Sequence, residues 1–396
     1  VDFTFTEEQR AAVEAARAVF SDVAPDRAPS PALTPGAVAE DIDRELWHEL
    51  ARTDLLGLTL SPDHGGAGLD PIALCLVLRE SAKVLARVPL LESCAVATTI
   101  QRYAEDGLAA ELLPRVATGE LVLTAAANGR SGHDPAELAV AARPYSESEG
   151  GGEGSPRGNR VAADGSAWVL DGVQSAVPWA RVADRIAVPA HTPQGRAVLA
   201  LVPRTRDGVT LADQVSTSGE LLAEVRLDAV RVEARELIDA EGCWDWLRSL
   251  LTTGTCALAL GLGERVLAMT AEYTGKREQF GFPVATFQAV AVQAADRYID
   301  LRAMEATLWQ AAWRLSADAG GPLPAAADIA VAKIWASDGV RRVVQTAQHL
   351  HGGFGADTDY PLHRFHAWAK QIELSLGPAA AHEEALGDLL AAHQLG

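Results

Sequence analysis

Two clusters in the last third of the chain carry residue types suited to holding phosphate. The first is Tyr273, Arg277 and Gln279-Phe280-Gly281, followed by Phe287-Gln288. A guanidinium binds phosphate oxygens through a rigid bidentate fork, so an arginine that closes a long helix can clamp an anion. The second runs Gln348-His-Leu-His-Gly352-Gly353-Phe354-Gly355, then Asp359-Tyr360-Pro361 and Arg364. Adjacent glycines at a helix-to-loop junction let a diphosphate or another backbone come closer than any side chain would permit. Either cluster alone reads equally well as a helix end with packing aromatics. Together, and in this order, they are harder to explain as helix ends alone. His349, His351, His363 and His366 also offer ring nitrogens, but no cysteine or carboxylate cluster joins them, and no metal site is expected.

Helices must position both clusters. The first ~120 residues have helical apolar spacing, and Thr6-Glu-Glu-Gln supplies an N-cap hydroxyl and early acids. Leu46, Leu50, Leu55 and Leu56 lead to the turn Asp63-His64-Gly65-Gly66-Ala67-Gly68-Leu69-Asp70, where His64 reads as a turn residue. Pro71 then suits the first turn of a helix. From about Leu121 the pattern changes to short β-rich runs: 121–126, 167–170, 186–190, 197–202 and 223–227. Asp164-Gly165 is a hairpin turn, and the glycine-rich run from Ser146 to Pro156 reads as a mobile loop of the β unit. After Leu237 the helical period returns, with Phe287, Val290, Ala294, Tyr298, Leu301 and Leu308 striping one long helix. Pro322 and Pro324 punctuate the loop before a helix that begins near Ala326. The expected fold is α+β: helical over 1–120, a β-barrel or sandwich over 121–237, and a four-helix bundle over 238–396.

A chain of 396 residues with 48% apolar and 22% charged residues has ample core for two or three packed units. Its net charge of −19 argues against nucleic acid or an anionic membrane as partner, so any site for an anion must be locally basic. The four cysteines lack CxxC spacing and sit in apolar stretches, which predicts buried thiols in a reducing compartment. The N-terminal residues lack a basic flank and an apolar signal core, and no window approaches ~20 uninterrupted apolar residues. A cytoplasmic location is expected.

The clusters, with Ala332-Lys333-Ile334-Trp335-Ala336-Ser337-Asp338 between them, resemble the acyl-CoA dehydrogenase family of flavoproteins. The resemblance covers nearly the whole chain, thinning between about 125 and 220. It implies FAD as cofactor, an acyl-CoA or acyl-carrier thioester as substrate, a homo- or hetero-tetramer, and an electron-transfer flavoprotein or similar acceptor. It also implies that Arg277, Gln279, Phe280, Phe287, Gln348, Gly352 and Gly353 serve the diphosphate and adenine end of a neighbouring subunit's FAD.

The family's catalytic positions depart from this pattern. The resemblance implies a Glu before a Gly-Thr in the last loop, removing the α proton of the thioester. That loop reads Gln371-Ile372-Glu373-Leu374-Ser375-Leu376-Gly377-Pro378. Counted from Tyr360-Pro361, the Glu position falls on Leu376, and Glu373 is the nearest carboxylate. The alternative family location for the base reads Leu250-Leu251-Thr252-Thr253-Gly254-Thr255, with no carboxylate. In the flavin-ring segments Thr124 is retained, whereas Ala176 stands for a Trp and Pro178 for a Thr. Trp179 is placed to stack on a flavin or to pack inside the β unit.

Groups that would serve a neighbour's FAD are therefore kept, and groups of the chain's own site are lost together. This division predicts the base-lacking partner subunit of a heteromeric acyl-CoA dehydrogenase. Two alternatives stand beside it: a self-sufficient homotetramer using an unusual base such as Glu373, and a non-catalytic scaffold of the same fold.

Overall fold

The computed structural model describes residues 4–25, 28–31, 34, 36–39, 41–134, 136–145, 167–316, 320–321 and 323–393. The expected loop at Ser146–Pro156, the Asp164-Gly165 turn and Pro322 lie outside the described residues.

Among the described residues five α-helices come first: α1 (Glu7–Phe20), α2 (Arg44–Arg52), α3 (Pro71–Ala82), α4 (Leu90–Tyr103) and α5 (Asp106–Ala117). Thr6 and Gln9 form a reciprocal capping box on α1, satisfying backbone donors that the helix leaves open. Asp70 caps α3 through Ala73 N at 3.1 Å, with Pro71 in the first turn. Among the described residues eight strands follow: β1 (Leu123–Ala125), β2 (Val140–Pro144), β3 (Ala167–Pro178), β4 (Arg185–His191), β5 (Ala197–Pro203), β6 (Val209–Val215), β7 (Leu221–Glu233) and β8 (Leu237–Ile238). They form one sheet in the order β6-β7-β3-β2-β4-β5-β8, with β1 parallel to β4. Its Val-, Ile- and Leu-rich inner face makes a second core, separate from that of the helices. β2, β6 and β8 were absent from the sequence expectation. β6 is an edge strand with no buried residue, and β8 has only 2 residues.

The chain then returns to helices: α6 (Cys243–Lys276), α7 (Gln288–Ser316), α8 (Ala325–His351), α9 (Leu362–Leu374) and α10 (Ala379–Ala392). A short hairpin, β9 (Glu278–Gln279) with β10 (Phe282–Pro283), joins α6 to α7. α6, α7 and α8 pack on one another, and α10 closes on α8. By length and apolarity alone α6 could cross a bilayer, but 78% of its most apolar window is buried inside the fold. It is the core helix of the molecule. A Cβ on Gly261 would lie 1.9 Å from the Arg79 carbonyl, so only glycine lets α6 approach α3 this closely.

The α7 stripe is only half used. Leu301 and Leu308 are buried, but Tyr298 is 56% exposed, and Val292 and Ile299 beside it are also bare. The first turns of α7 thus present apolar surface that the chain does not cover itself. All four cysteines are buried and free.

Candidate functional site

A cavity of about 360 Å³ lies where the three layers meet. α3, α4 and α6 give it apolar walls, and the ends of β1 and β3 and the segment 368–376 complete it. Three non-glycine residues on its wall have left-handed backbone: Ala176 (φ 51°), Trp179 (φ 58°) and Leu376 (φ 57°). Such conformations cost about 1–3 kcal/mol each and persist only where surrounding structure imposes them. Here one side chain holds two of them. The Asn128 amide donates to the Ala176 carbonyl at 3.0 Å, and its oxygen accepts from Leu376 N at 3.0 Å.

This arrangement corrects two sequence expectations. Thr124 is fully buried, does not line the cavity, and donates its hydroxyl to the Pro178 carbonyl at 2.6 Å. It has no proton left for a flavin ring edge. Glu373 lies on the other side of α9, in a separate groove of about 700 Å³. Lys370 neutralises it at 3.1 Å and Arg341 approaches at 3.8 Å, so it is no base for the cavity. Leu376, where the Glu was sought, is 6% exposed and packs into the helical core.

Two carboxylates line the cavity: Glu220, which is paired with Arg87, and Glu92, which has no cationic partner among the described residues and which no sequence motif singles out. It stands in the first turn of α4, accepting hydrogen bonds from Trp179 and from its own backbone. Burial outweighs both and pushes its pKa up to about 7. The folded state therefore holds this proton from the ordinary Glu range up to about 7, whereas the unfolded chain releases it. Stability is expected to fall as pH rises through that window. Glu92→Gln should flatten this part of a urea-midpoint-against-pH profile, and an unchanged slope would remove Glu92 as its source.

The phosphate-type residues sit on the outside. Arg277 caps the C-terminus of α6, its N–H donating to the Tyr273 carbonyl at 2.8 Å. Its guanidinium is exposed, with no ion-pair partner among the described residues. It borders a groove of about 510 Å³ with Arg265 and Lys276, where Glu272 is paired with Lys276 at 2.6 Å. That is a cationic patch on a chain of net charge −19. Gln279 and Phe280 project from the β9–β10 hairpin, with Phe280 90% exposed and edge-on to Phe287. Gln348 lines the Glu373 groove and packs on Gly355. Gly352 has φ 59° and ψ −137°, and a Cβ on Gly352 or Gly353 would meet only open space. Gly353 is thus not demanded by packing within the chain, and both glycines face outward.

FAD therefore fits one end of this chain and not the other. The exposed arginine, the aromatic hairpin and the open glycines suit a diphosphate and adenine. The ring end offers a proline without an N–H, a spent threonine hydroxyl and an asparagine already bonded on both sides.

Comparison with known proteins agrees with this architecture. The acyl-CoA dehydrogenase N-terminal domain matches residues 6–120, and the acyl-CoA dehydrogenase C-terminal domain matches residues 251–390. Acyl-CoA dehydrogenase FadE27 of Mycobacterium tuberculosis is 34% identical over 354 residues, 88% of each chain. The crystal structure of the ChsE4-ChsE5 complex from Mycobacterium tuberculosis superposes with a TM-score of 0.86 and 32% identity, covering 100% of both chains. A single-residue variant of the Tcur3481-Tcur3483 steroid ACAD superposes at 0.84 with 36% identity, covering 98% of each. The chain belongs to the acyl-CoA dehydrogenase family, FAD-dependent oxidoreductases that act on CH–CH bonds of acyl thioesters.

Proposed function

We propose that this chain is the base-lacking subunit of a heteromeric acyl-CoA dehydrogenase. In this reading it completes the diphosphate end of an FAD whose ring lies in a related subunit. The observation that carries the reading is the division just described: the Arg277 guanidinium, the Phe280 ring and the paired glycines are exposed, and the inward-facing ring groups are closed. Bound FAD supplies the two-electron acceptor for α,β-desaturation of the thioester. Arg277, Gln279, Gln348, Gly352 and Gly353 would hold its diphosphate, with Phe280 and Phe287 against the adenine.

Three features support a related chain as partner. Phe280, Phe282, Val292, Tyr298 and Ile299 leave an apolar face uncovered beside these groups. Leu376 stands where the family's Glu base is expected, and a positioned base is worth ~10²–10⁴-fold in rate. One similar structure is the ChsE4-ChsE5 complex, and another carries the paired name Tcur3481-Tcur3483. The related subunit would bring the thioester and the electron acceptor to its own site.

The test is the visible absorption spectrum of the chain purified alone and after co-expression with a related subunit. A colourless chain that gains one flavin per unlike pair is expected. Stoichiometric flavin on the chain alone would overturn the proposal and favour a self-sufficient enzyme.

A further inference from the structure

We propose that this chain's own cavity is a binding site for a neutral, largely apolar molecule bearing a hydroxyl group, and that Glu92 recognises that hydroxyl. The inference goes beyond the sharing of FAD and does not depend on it, since every wall of the cavity comes from this chain.

Its volume of about 360 Å³ falls within the ~300–1,000 Å³ range of small-molecule sites. Leu78, Leu91, Leu222, Leu251 and Leu258 make it apolar. In such a wall a carboxylate needs partners for about four lone-pair positions. The Trp179 indole and the Glu92 backbone N–H supply only two hydrogen bonds. A ligand hydroxyl can donate to what remains. A ketone brings only a further acceptor, and a carboxylate brings like charge.

The other polar groups around the cavity are already engaged or neutral. Glu220, at the base of β7, is bonded to Arg87 at 2.7 Å, and Lys370 on α9 to Glu373 at 3.1 Å. Asn128, after β1, is bonded to Ala176 and Leu376. α3 and α6 contribute the neutral hydroxyls of Ser81 and Thr255, whose protons go to the carbonyls of Leu78 and Leu251. Within α4 the Cys94 thiol is neutral, pushed up to about 12 by burial and by the charge of Glu92. Because burial lifts the Glu92 carboxyl to about 7, the site changes from acceptor to donor as pH falls through that value.

The probes are 1-dodecanol, 2-dodecanone and dodecanoate, titrated against the protein with its partner subunit present and followed by calorimetry. Well above pH 7 the alcohol should bind more tightly than the ketone by roughly tenfold or more, the worth of a hydrogen bond to a charged group. Dodecanoate should not bind. Well below pH 7 the protonated carboxyl can donate to the ketone, and the gap should close. Glu92→Gln, whose amide both donates and accepts, should bind alcohol and ketone alike at either pH. Should that variant not fold, Glu92→Met should lose the alcohol's advantage at both pH values. The proposal is overturned if no probe binds, if alcohol and ketone bind equally well above pH 7, or if the pH-dependent gap survives without Glu92.

Discussion

Arg277→Glu is expected to strip flavin from the assembled enzyme while leaving the assembly intact. The backbone of Arg277 is fixed independently of its side chain: its N–H caps α6, and its carbonyl accepts from Val284 N at 2.7 Å. The exposed guanidinium contributes nothing to the fold, so the variant should fold as the parent does. Truncating one partner of a hydrogen-bonded charge pair costs about 2–5 kcal/mol, a loss of roughly 30- to 4,000-fold in affinity. Charge reversal adds repulsion against a diphosphate. Fluorescence titration of the apo-complex with FAD measures the loss, and sedimentation checks the assembly. Unaltered FAD affinity would place the diphosphate away from α6.

Lys333→Met is expected to have the largest effect on stability. Lys333 is fully buried, and its ammonium donates to Ser337 Oγ at 2.8 Å, the Glu373 carbonyl at 3.1 Å and the Ile372 carbonyl at 3.2 Å. It closes the C-terminus of α9, where the helix dipole favours a cation. Methionine fills similar space but leaves two carbonyls and a hydroxyl with fewer partners, at about 1–3 kcal/mol for each group left unpaired. A loss of roughly 3–5 kcal/mol in urea unfolding is expected, with loosening of the turn that carries Leu376. Burial also lowers the lysine to about 8 in the folded state. The unfolded chain then binds more protons between about 8 and the ordinary lysine value, so Lys333 makes stability rise with pH across that window. Cys94, pushed up to about 12 by burial, acts in the opposite direction in parent and variant alike, whereas Cys256, also pushed up to about 12, is lowered by the Lys333 charge and so rises further in the variant. The difference between the two profiles reports Lys333 together with its coupling to Cys256, and parallel profiles would refute its role.

What the sequence disclosed and what it hid divide along physical lines. Arg277, Phe280, Gly352 and Gly353 were legible because each is costly or unnecessary for internal packing, so its presence needed another reason. The β-rich runs with long apolar stretches were found. β2 and β6 were not, because an edge or half-covered strand need not alternate cleanly. Thr124 was misjudged because its hydroxyl is used by Pro178, 54 residues away, a pairing no local pattern reports. Glu373 was proposed from proximity along the chain, but the C-terminal turn of α9 sends Ile372 towards the cavity and Glu373 away from it. Glu92 was overlooked because an acid in a first helical turn ordinarily serves the helix dipole. The usable signal was its setting, with Leu90 and Leu91 before it and Cys94 and Ala95 close after.

The rings beneath the outer groove have a kinetic consequence. Tyr273 stacks on His351 with centroids 4.5 Å apart and on Phe354 at 5.1 Å, and Tyr360 leans against both of those partners. The His351 Nδ1–H donates to the Ala347 carbonyl at 2.8 Å, and its Nε2 accepts from the Tyr360 hydroxyl at 3.1 Å. Burial keeps the imidazole neutral, suiting that pattern. The end of α6 that bears Arg277 and the loop that bears Gly352 are thus parts of one stiff plate. A dinucleotide held there, as proposed, would meet a surface that the stacked rings already stiffen, with little ordering entropy to lose. Capture should then proceed in a single fast phase set by encounter, with no slow isomerisation after contact.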